Sequence, residues 1–270
     1  MLGSVLFYVV IAVLIFGVLI AGPRLSNMLP PGYAFLANCI FIMILMVLGC
    51  HNVINALYIG AMETQNTLAE ICGREMPYQT KEIKKAYRNA FYREKTGLLA
   101  DSETSSHAAL HSNVYAMYFH LLPEADEEKI LTFMEQKGFS CGVMLSYFVL
   151  RVFAERGQYD MVYELLVNEG EHGWVNMLRE GATTCFEAWG KDQKWNTSLC
   201  HPWASAPIPI LIEEIAGVHI DAAEKGGYYW TPHIPKEIRE FRLCVPVKGK
   251  KIIVEKKMGE AYAVIREDKE

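Results

Sequence analysis

The stretch GATTCFEAWGKDQKWNTSLCHPWASAP, residues 181–207, decides how the rest of this chain is read. Glu187 stands between Phe186 and Trp189, and Trp195 follows in the loop; His201 comes next, two residues before Trp203. Aromatic faces stack on the C–H side of a sugar ring, and an apolar wall raises a carboxylate's pKa toward useful base strength. The composition therefore suits glycoside chemistry. It suits equally a structural acid at a helix start, and the residues alone leave both readings open.

Working outward, the 270 residues suffice for one large domain or two ordinary ones. An apolar fraction of 51% supplies a packed core, and 21% charged residues argues against disorder. The net charge of -5 gives no general attraction for phosphate backbones, which excludes nucleic acid as a partner class. Seven cysteines at 39, 50, 72, 141, 185, 200 and 244 form no Cys-x-x-Cys pair. They make neither a zinc site nor a disulfide framework, although Cys185 and Cys200 flank the opening motif.

Residues 1–50 contrast with the rest. The run 2–22 carries no charge and would span about 31 Å as a helix, one bilayer core. A second uncharged run covers 33–50, with PRLSNMLPP between them as a turn. The first run lacks a basic residue before it and is long for a signal-peptide core, so two hydrophobic helices and membrane association are expected. Arg24 in the connector points the connector toward the cytoplasm. If these residues do not insert, the chain is cytoplasmic.

From residue 51 onward, short amphipathic helices alternate with glycine stops. Val53, Leu57 and Ala61 mark the first, ending at Gly73; Ile83, Tyr87 and Phe91 mark the second, ending near Gly97. A polar loop leads to a helix over 111–122. Asp126, Glu127 and Glu128 then load a first helical turn, where acids suit the helix dipole, and Gly138 closes that helix. Further helices carry Leu145 to Phe153 and Tyr159 to Leu166, and a last one covers 208–216. Short loops make successive helices antiparallel hairpins. The tail changes period: Phe241, Leu243, Val245 and Val247 alternate, KGK turns, and 252–255 returns. Three regions are expected: hydrophobic segments at 1–50, a helical region at 51–222 and a small β-domain at 223–270.

The residues Gly181-Ala182-Thr183-Thr184-x-Phe186-Glu187-Ala188-Trp189, followed by Ser198-Leu199-Cys200-His201-x-Trp203-Ala204, resemble bacterial alpha-L-rhamnosidases, glycoside hydrolase family seventy-eight. The resemblance extends through CHNVINALYIGAM at 50–62, EKTGLLADSETSSHAALHSN at 94–113 and MLSYFVLRVFAERGQYD at 144–160. It implies a mainly α fold, a partial six-hairpin (α/α) barrel with a small C-terminal β-sandwich-like unit. It also implies hydrolysis with inversion, which needs two carboxyls about 6.5–9.5 Å apart, one protonating the leaving oxygen and one activating water. Glu187 matches the family's general base, and His201 a histidine that contacts bound rhamnose. Phe186 departs from the tryptophan common at its position. Trp189, Trp203 and Phe186 are expected to line the sugar site, together with His107 and His111 from a loop-to-helix junction.

The family's general acid lies in an upstream, acid-rich segment that this chain does not contain, and no Asp or Glu precedes Glu63. Asp101 and Glu103 match a different family segment. The expected function is thus the C-terminal part of a rhamnosidase, weak or inactive alone, acting on rhamnose-containing glycosides. The missing N-terminal half of the enzyme would be its partner. The competing class is a non-catalytic, membrane-tethered carbohydrate-binding or assembly module. His107 and His111 are four apart, but no Glu or third ligand accompanies them, so neither a metal nor any other cofactor is expected. The lysines at 248, 250, 251, 256 and 257 read as a solvated hairpin edge.

Overall fold

The structure is a computed structural model that describes residues 51–269, and these fold as one unit over Asn52–Glu270. The two hydrophobic helices expected over residues 2–50, and the membrane association argued from them, lie outside the described residues. Among the described residues no helix is long and apolar enough to cross a membrane.

Helix α1 (Asn52–Ile71) leads into α2 (Thr80–Phe91), and a short hairpin follows, β1 (Tyr92–Arg93) with β2 (Leu98–Leu99). Next come α3 (Leu110–Tyr118), α4 (Glu128–Lys137), α5 (Ser146–Glu155), α6 (Tyr159–Leu166) and α7 (Trp174–Arg179). The last helical segment starts as α8 (Pro207–Pro209) and continues as a π-helical turn over Ile210–Ile215. The chain is therefore mainly helical, with three small sheets.

Neighbouring helices pack in a definite order. α1 lies on α3, α3 on α5, and α5 on the π-helical turn, while α2, α4 and α6 back α1, α3 and α5. Apolar stripes at helical spacing explain the order: Ala56 and Ile59 of α1, Val114 and Met117 of α3, and Val149, Val152 and Phe153 of α5 share one buried cluster. Gly60 sets how closely α1 approaches α3, since a Cβ there would lie 2.3 Å from the Phe119 ring.

Polar side chains fix what apolar packing leaves free. The buried Asn113 amide oxygen accepts from Leu99 N at 2.9 Å, and its nitrogen donates to Leu99 O at 3.2 Å and Ala109 O at 2.9 Å. Asn52 donates to Ala100 O at 3.0 Å and accepts from the Tyr87 hydroxyl at 2.6 Å. The loop 98–101 is thus stitched to α1, α2 and α3, which puts Asp101 in a set place. Burial of Tyr87 pushes its phenol well above the ordinary range, so it stays a hydrogen-bond donor.

The acids expected to serve the dipole of α4 do more than that. Asp126 pairs with Arg88 of α2 at 2.7 Å, and Glu127 with Arg156 at 2.9 Å, so they tie three hairpins together. They precede the helix in a 3-10 turn, Glu124–Asp126, and at its cap. Arg151 of α5 reaches both Glu213 (2.6 Å) and Glu214 (2.5 Å), anchoring the π-helical turn.

A second apolar cluster begins at Ala216. It joins the hairpin β3 (Val218–Ile220) and β4 (Tyr228–Trp230) to a three-stranded antiparallel sheet, β5 (Phe241–Val247), β6 (Lys250–Lys256) and β7 (Val264–Lys269). Val245 faces Ile252 and Leu243 faces Val254 across the β5–β6 ladder. Lys248 (φ 48°) and Gly249 (φ 72°) both adopt positive φ, which gives the two-residue turn that matches strand twist.

Replacing Asn113 with Ala strips the partners from Leu99 N and O in a buried place. We expect a loss of about 1–3 kcal/mol in urea unfolding of the 270-residue chain; an unchanged midpoint would mean that the 98–101 loop is held by packing alone.

Candidate active site

The motif at 181–207 folds with two irregular segments, 184–187 and 198–201, hydrogen-bonded to each other. Glu187 N donates to Ser198 O at 2.8 Å, His201 N to Cys185 O at 2.8 Å, and the Thr184 hydroxyl to Leu199 O at 2.6 Å. Cys185 and Cys200, brought close by this pairing, are both free thiols.

Glu187 sits at the crossing. One carboxylate oxygen accepts from Ser198 N at 3.0 Å, and the other meets the Lys194 ammonium at 2.5 Å. The hydrogen bond from Lys194, then that from Ser198 N, outweigh the opposing effect of desolvation and hold this carboxyl below the ordinary glutamate range. The expectation of a raised pKa is thereby corrected. It assumed an apolar wall, and the wall is absent.

Phe186 and Trp189, expected at the sugar, instead lie in the core, with relative exposures of 3% and 2%. Trp189 stacks on Phe139 at 5.1 Å, meets Trp174 edge-on at 5.1 Å, and donates its indole N–H to Cys141 O at 2.6 Å. Its faces are covered by protein, so it braces the Glu187 segment from behind. Sequence proximity to the acid had suggested a lining role, but contacts with Phe139, Trp174 and Cys141, distant in sequence, turn Trp189 into the core.

His201 and Trp203 do share the surface with Glu187. Their rings stack at 4.1 Å, the His201 imidazole lies close enough to lower the Glu187 pKa further, and the Trp203 indole donates to Glu187 O at 3.1 Å. Trp203 is 41% exposed and Trp195, on the loop between, is 95% exposed. Nδ1 of His201 is buried and has no hydrogen-bond partner among the described residues. A buried, unpaired polar atom costs about 1–3 kcal/mol, and folded proteins hold few of them.

His107 and His111 occupy a separate cluster. The His107 Nδ1 meets Asp101 Oδ2 at 2.5 Å, and Asp101 also accepts from Ala109 N (2.7 Å) and the Ser112 hydroxyl (2.8 Å). Desolvation raises the Asp101 pKa, but these hydrogen bonds prevail and keep it low. Desolvation pushes the His111 imidazole down, opposed by the Asp101 charge. Both histidines are exposed, and their interactions run to Asp101, not to the Glu187 loop. No group of three metal-ligating side chains occurs among the described residues.

Lys194 was not foreseen. Its only sequence signal is a single basic residue in the polar loop after the acid, indistinguishable there from a solvated charge.

Helical hairpins that carry an acid, an imidazole and exposed indoles on loops at their ends have the build of an (α/α)-hairpin glycosidase domain. The chain belongs to the bacterial alpha-L-rhamnosidase six-hairpin glycosidase domain family, whose sequence model matches residues 50–215. It is 29% identical over 137 residues to an alpha-L-rhamnosidase of Formosa agariphila, an alignment covering 47% of this chain and 14% of that protein. An alpha-L-rhamnosidase of Alteromonas sp. is 29% identical over 115 residues, covering 40% of this chain and 12% of that protein. The alpha-L-rhamnosidase of Streptomyces avermitilis, solved in complex with L-rhamnose, superposes with a TM-score of 0.64 at 18% identity, over 78% of this chain and 21% of that one. The Dictyoglumus thermophilum alpha-L-rhamnosidase gives 0.65 at 18%, over 79% and 25%. The chain thus spans a minor part of the length of each of these relatives.

The two tryptophans separate by role. Trp189→Ala opens the core and should cost about 3–5 kcal/mol, whereas Trp203→Ala should cost about 1 kcal/mol or less. Thermal and urea unfolding of the two variants measure this; equal losses would return Trp189 to the surface.

Proposed function

We propose that this chain supplies the general-base side of an inverting alpha-L-rhamnosidase site, with Glu187 taking a proton from the attacking water and His201 contacting the sugar. The observation that carries this reading is the backbone pairing of segments 184–187 and 198–201, which brings the Glu187 carboxylate near the His201 imidazole. A base must be deprotonated to act, and the hydrogen bonds from Lys194 and Ser198 N favour the ionised form of Glu187. Trp203, stacked on His201 and partly exposed, offers an apolar face beside it.

Inversion needs a second, protonated carboxyl across the scissile bond. Asp101 is unsuited: it is held ionised by His107, Ala109 N and the Ser112 hydroxyl, and an acid catalyst must carry a proton. The proposal therefore assigns no general acid among the described residues. Losing general-acid catalysis costs about 10²–10⁴ in rate, so hydrolysis by these 270 residues alone is slow, and the acid belongs to further hairpins of the family fold. The substrates are terminal alpha-L-rhamnosyl groups.

A second reading has an observation of its own. Both oxygens of Glu187 are engaged, one by Lys194, which suits a module that binds rhamnose without cleaving it.

The test uses the purified chain with 4-nitrophenyl alpha-L-rhamnoside. Slow release of nitrophenol, reduced by about 10² or more in Glu187→Gln, with beta-rhamnose as the first product seen by proton NMR, is the expected outcome. Turnover that ignores Glu187→Gln, or an alpha product, removes the base assignment. Rhamnose binding that His201→Ala abolishes, without hydrolysis by the wild type, selects the binding module.

A further inference from the structure

We infer that Lys194 is a positioning residue for Glu187: its ammonium clamps one carboxylate oxygen in the sugar-free site and yields that oxygen to the attacking water. The inference rests on the reading of Glu187 as the base.

The clamp is built, not incidental. Lys194 lies on the loop between the two paired segments, and that loop is fixed at both sides of it. The Gln193 side-chain oxygen accepts from Trp189 N at 3.1 Å, so the residue before Lys194 is tied to a core tryptophan. The Lys194 carbonyl accepts from the Thr197 hydroxyl at 3.0 Å and from Thr197 N at 3.3 Å. The backbone of Lys194 is thus held by the same loop that positions the acid, while the side chain remains a flexible four-carbon stem.

The two carboxylate oxygens are held differently. The Ser198 N–H that holds one is backbone and stays. The ammonium that holds the other sits at the rim, with the Lys194 side chain 38% exposed against 18% for Glu187. An exposed ion pair of this kind contributes little, because its charges remain hydrated, so water can replace the ammonium readily. The charged or titratable groups that act on Glu187 are Lys194 from the loop and His201 from the facing segment. With the ammonium in place, Glu187 is ionised but a weak base. With water in its place, the carboxylate regains strength and already contacts the molecule it must deprotonate. Oxygen Oε1 is then the base and Oε2 the anchor.

The sign of the pH effect follows. Removing a positive charge favours the neutral acid, so the Glu187 titration moves to higher pH in Lys194→Met and stays near its wild-type place in Lys194→Arg. The Glu187 carboxyl resonance of the ¹³C-labelled 270-residue chain, identified by its loss in Glu187→Gln, reads this directly. In the rhamnoside assay the ratio of kcat/KM at about pH 4 to that at about pH 7 should fall at least about threefold in Lys194→Met and recover in Lys194→Arg. The pH dependence of kcat stays in place, because kcat/KM titrates with the sugar-free enzyme that holds the clamp. Lys194 is exposed enough that neither substitution removes core packing, and an unchanged amide spectrum away from the loop checks this. A carboxyl titration identical in wild type and Lys194→Met overturns the positioning role alone. A shifted titration with hydrolysis indifferent to Glu187→Gln overturns the base assignment, and the positioning role with it.

Discussion

The location of Glu187 depends on a backbone pairing. Segments 184–187 and 198–201 run against each other, and the bonds Glu187 N to Ser198 O and His201 N to Cys185 O put the acid and the imidazole on adjoining strands of one irregular ladder. Neither segment is regular secondary structure, so nothing but this mutual pairing and their anchors sets the geometry. An irregular loop that must hold two side chains in register needs its free N–H and C=O groups satisfied. Here they satisfy one another.

The anchors are indoles. Trp189 donates to Cys141 O and Trp174 to Ala204 O, and Phe139 packs against both rings. These aromatic side chains bury large apolar areas, each about 150–250 Å², directly beneath the two segments. The Asn176 amide donates to Trp189 O and fixes the peptide that follows the acid. The chain therefore uses these rings for support and leaves the Glu187 carboxylate to its polar partners, Lys194 and Ser198 N. A carboxylate lined by rings would be neutral more of the time; one backed by rings and fronted by donors stays charged.

Much of the helical region was legible because its signals are redundant. Tyr87 and Phe91, or Val149, Val152 and Phe153, repeat at helical spacing and are all buried, and the glycine stops at 73, 138, 157 and 217 fall just past helical ends. Where one signal stood alone, the reading missed. α7 spans only Trp174–Arg179, too short for a repeating stripe. The last helix is marked by its early prolines and by Gly217 after it, signals that do not tell an α-helical from a π-helical turn. Ile210–Ile215 is π-helical, with Glu213 and Glu214 both paired to Arg151. The hairpin between α2 and α3 hid in Thr96-Gly97, which signals a helix end and a strand turn equally well. At the proposed site, the motif that singles out Glu187 and His201 does fold so that the two lie near each other, but the direction of Phe186 and Trp189 could not be read from it. An aromatic beside an acid is the same letter whether it faces ligand or core, and only the far-off partners Phe139 and Cys141 decide it. Lys194 was illegible for the same reason in reverse: its partner is close in sequence, but the loop had to fold back before they met.

The polar inventory of the cluster also constrains the ligand. Lys194 offsets the charge of Glu187, so the site presents no net field to attract an anion or a cation, and the chain's overall charge of -5 disfavours anions at longer range. An uncharged molecule with hydroxyls on one side and C–H bonds on the other can lie across the paired carboxylate and the exposed ring of Trp203 without adding charge to it. The sugar assigned under the proposed function is such a molecule, and the charge balance agrees with that assignment.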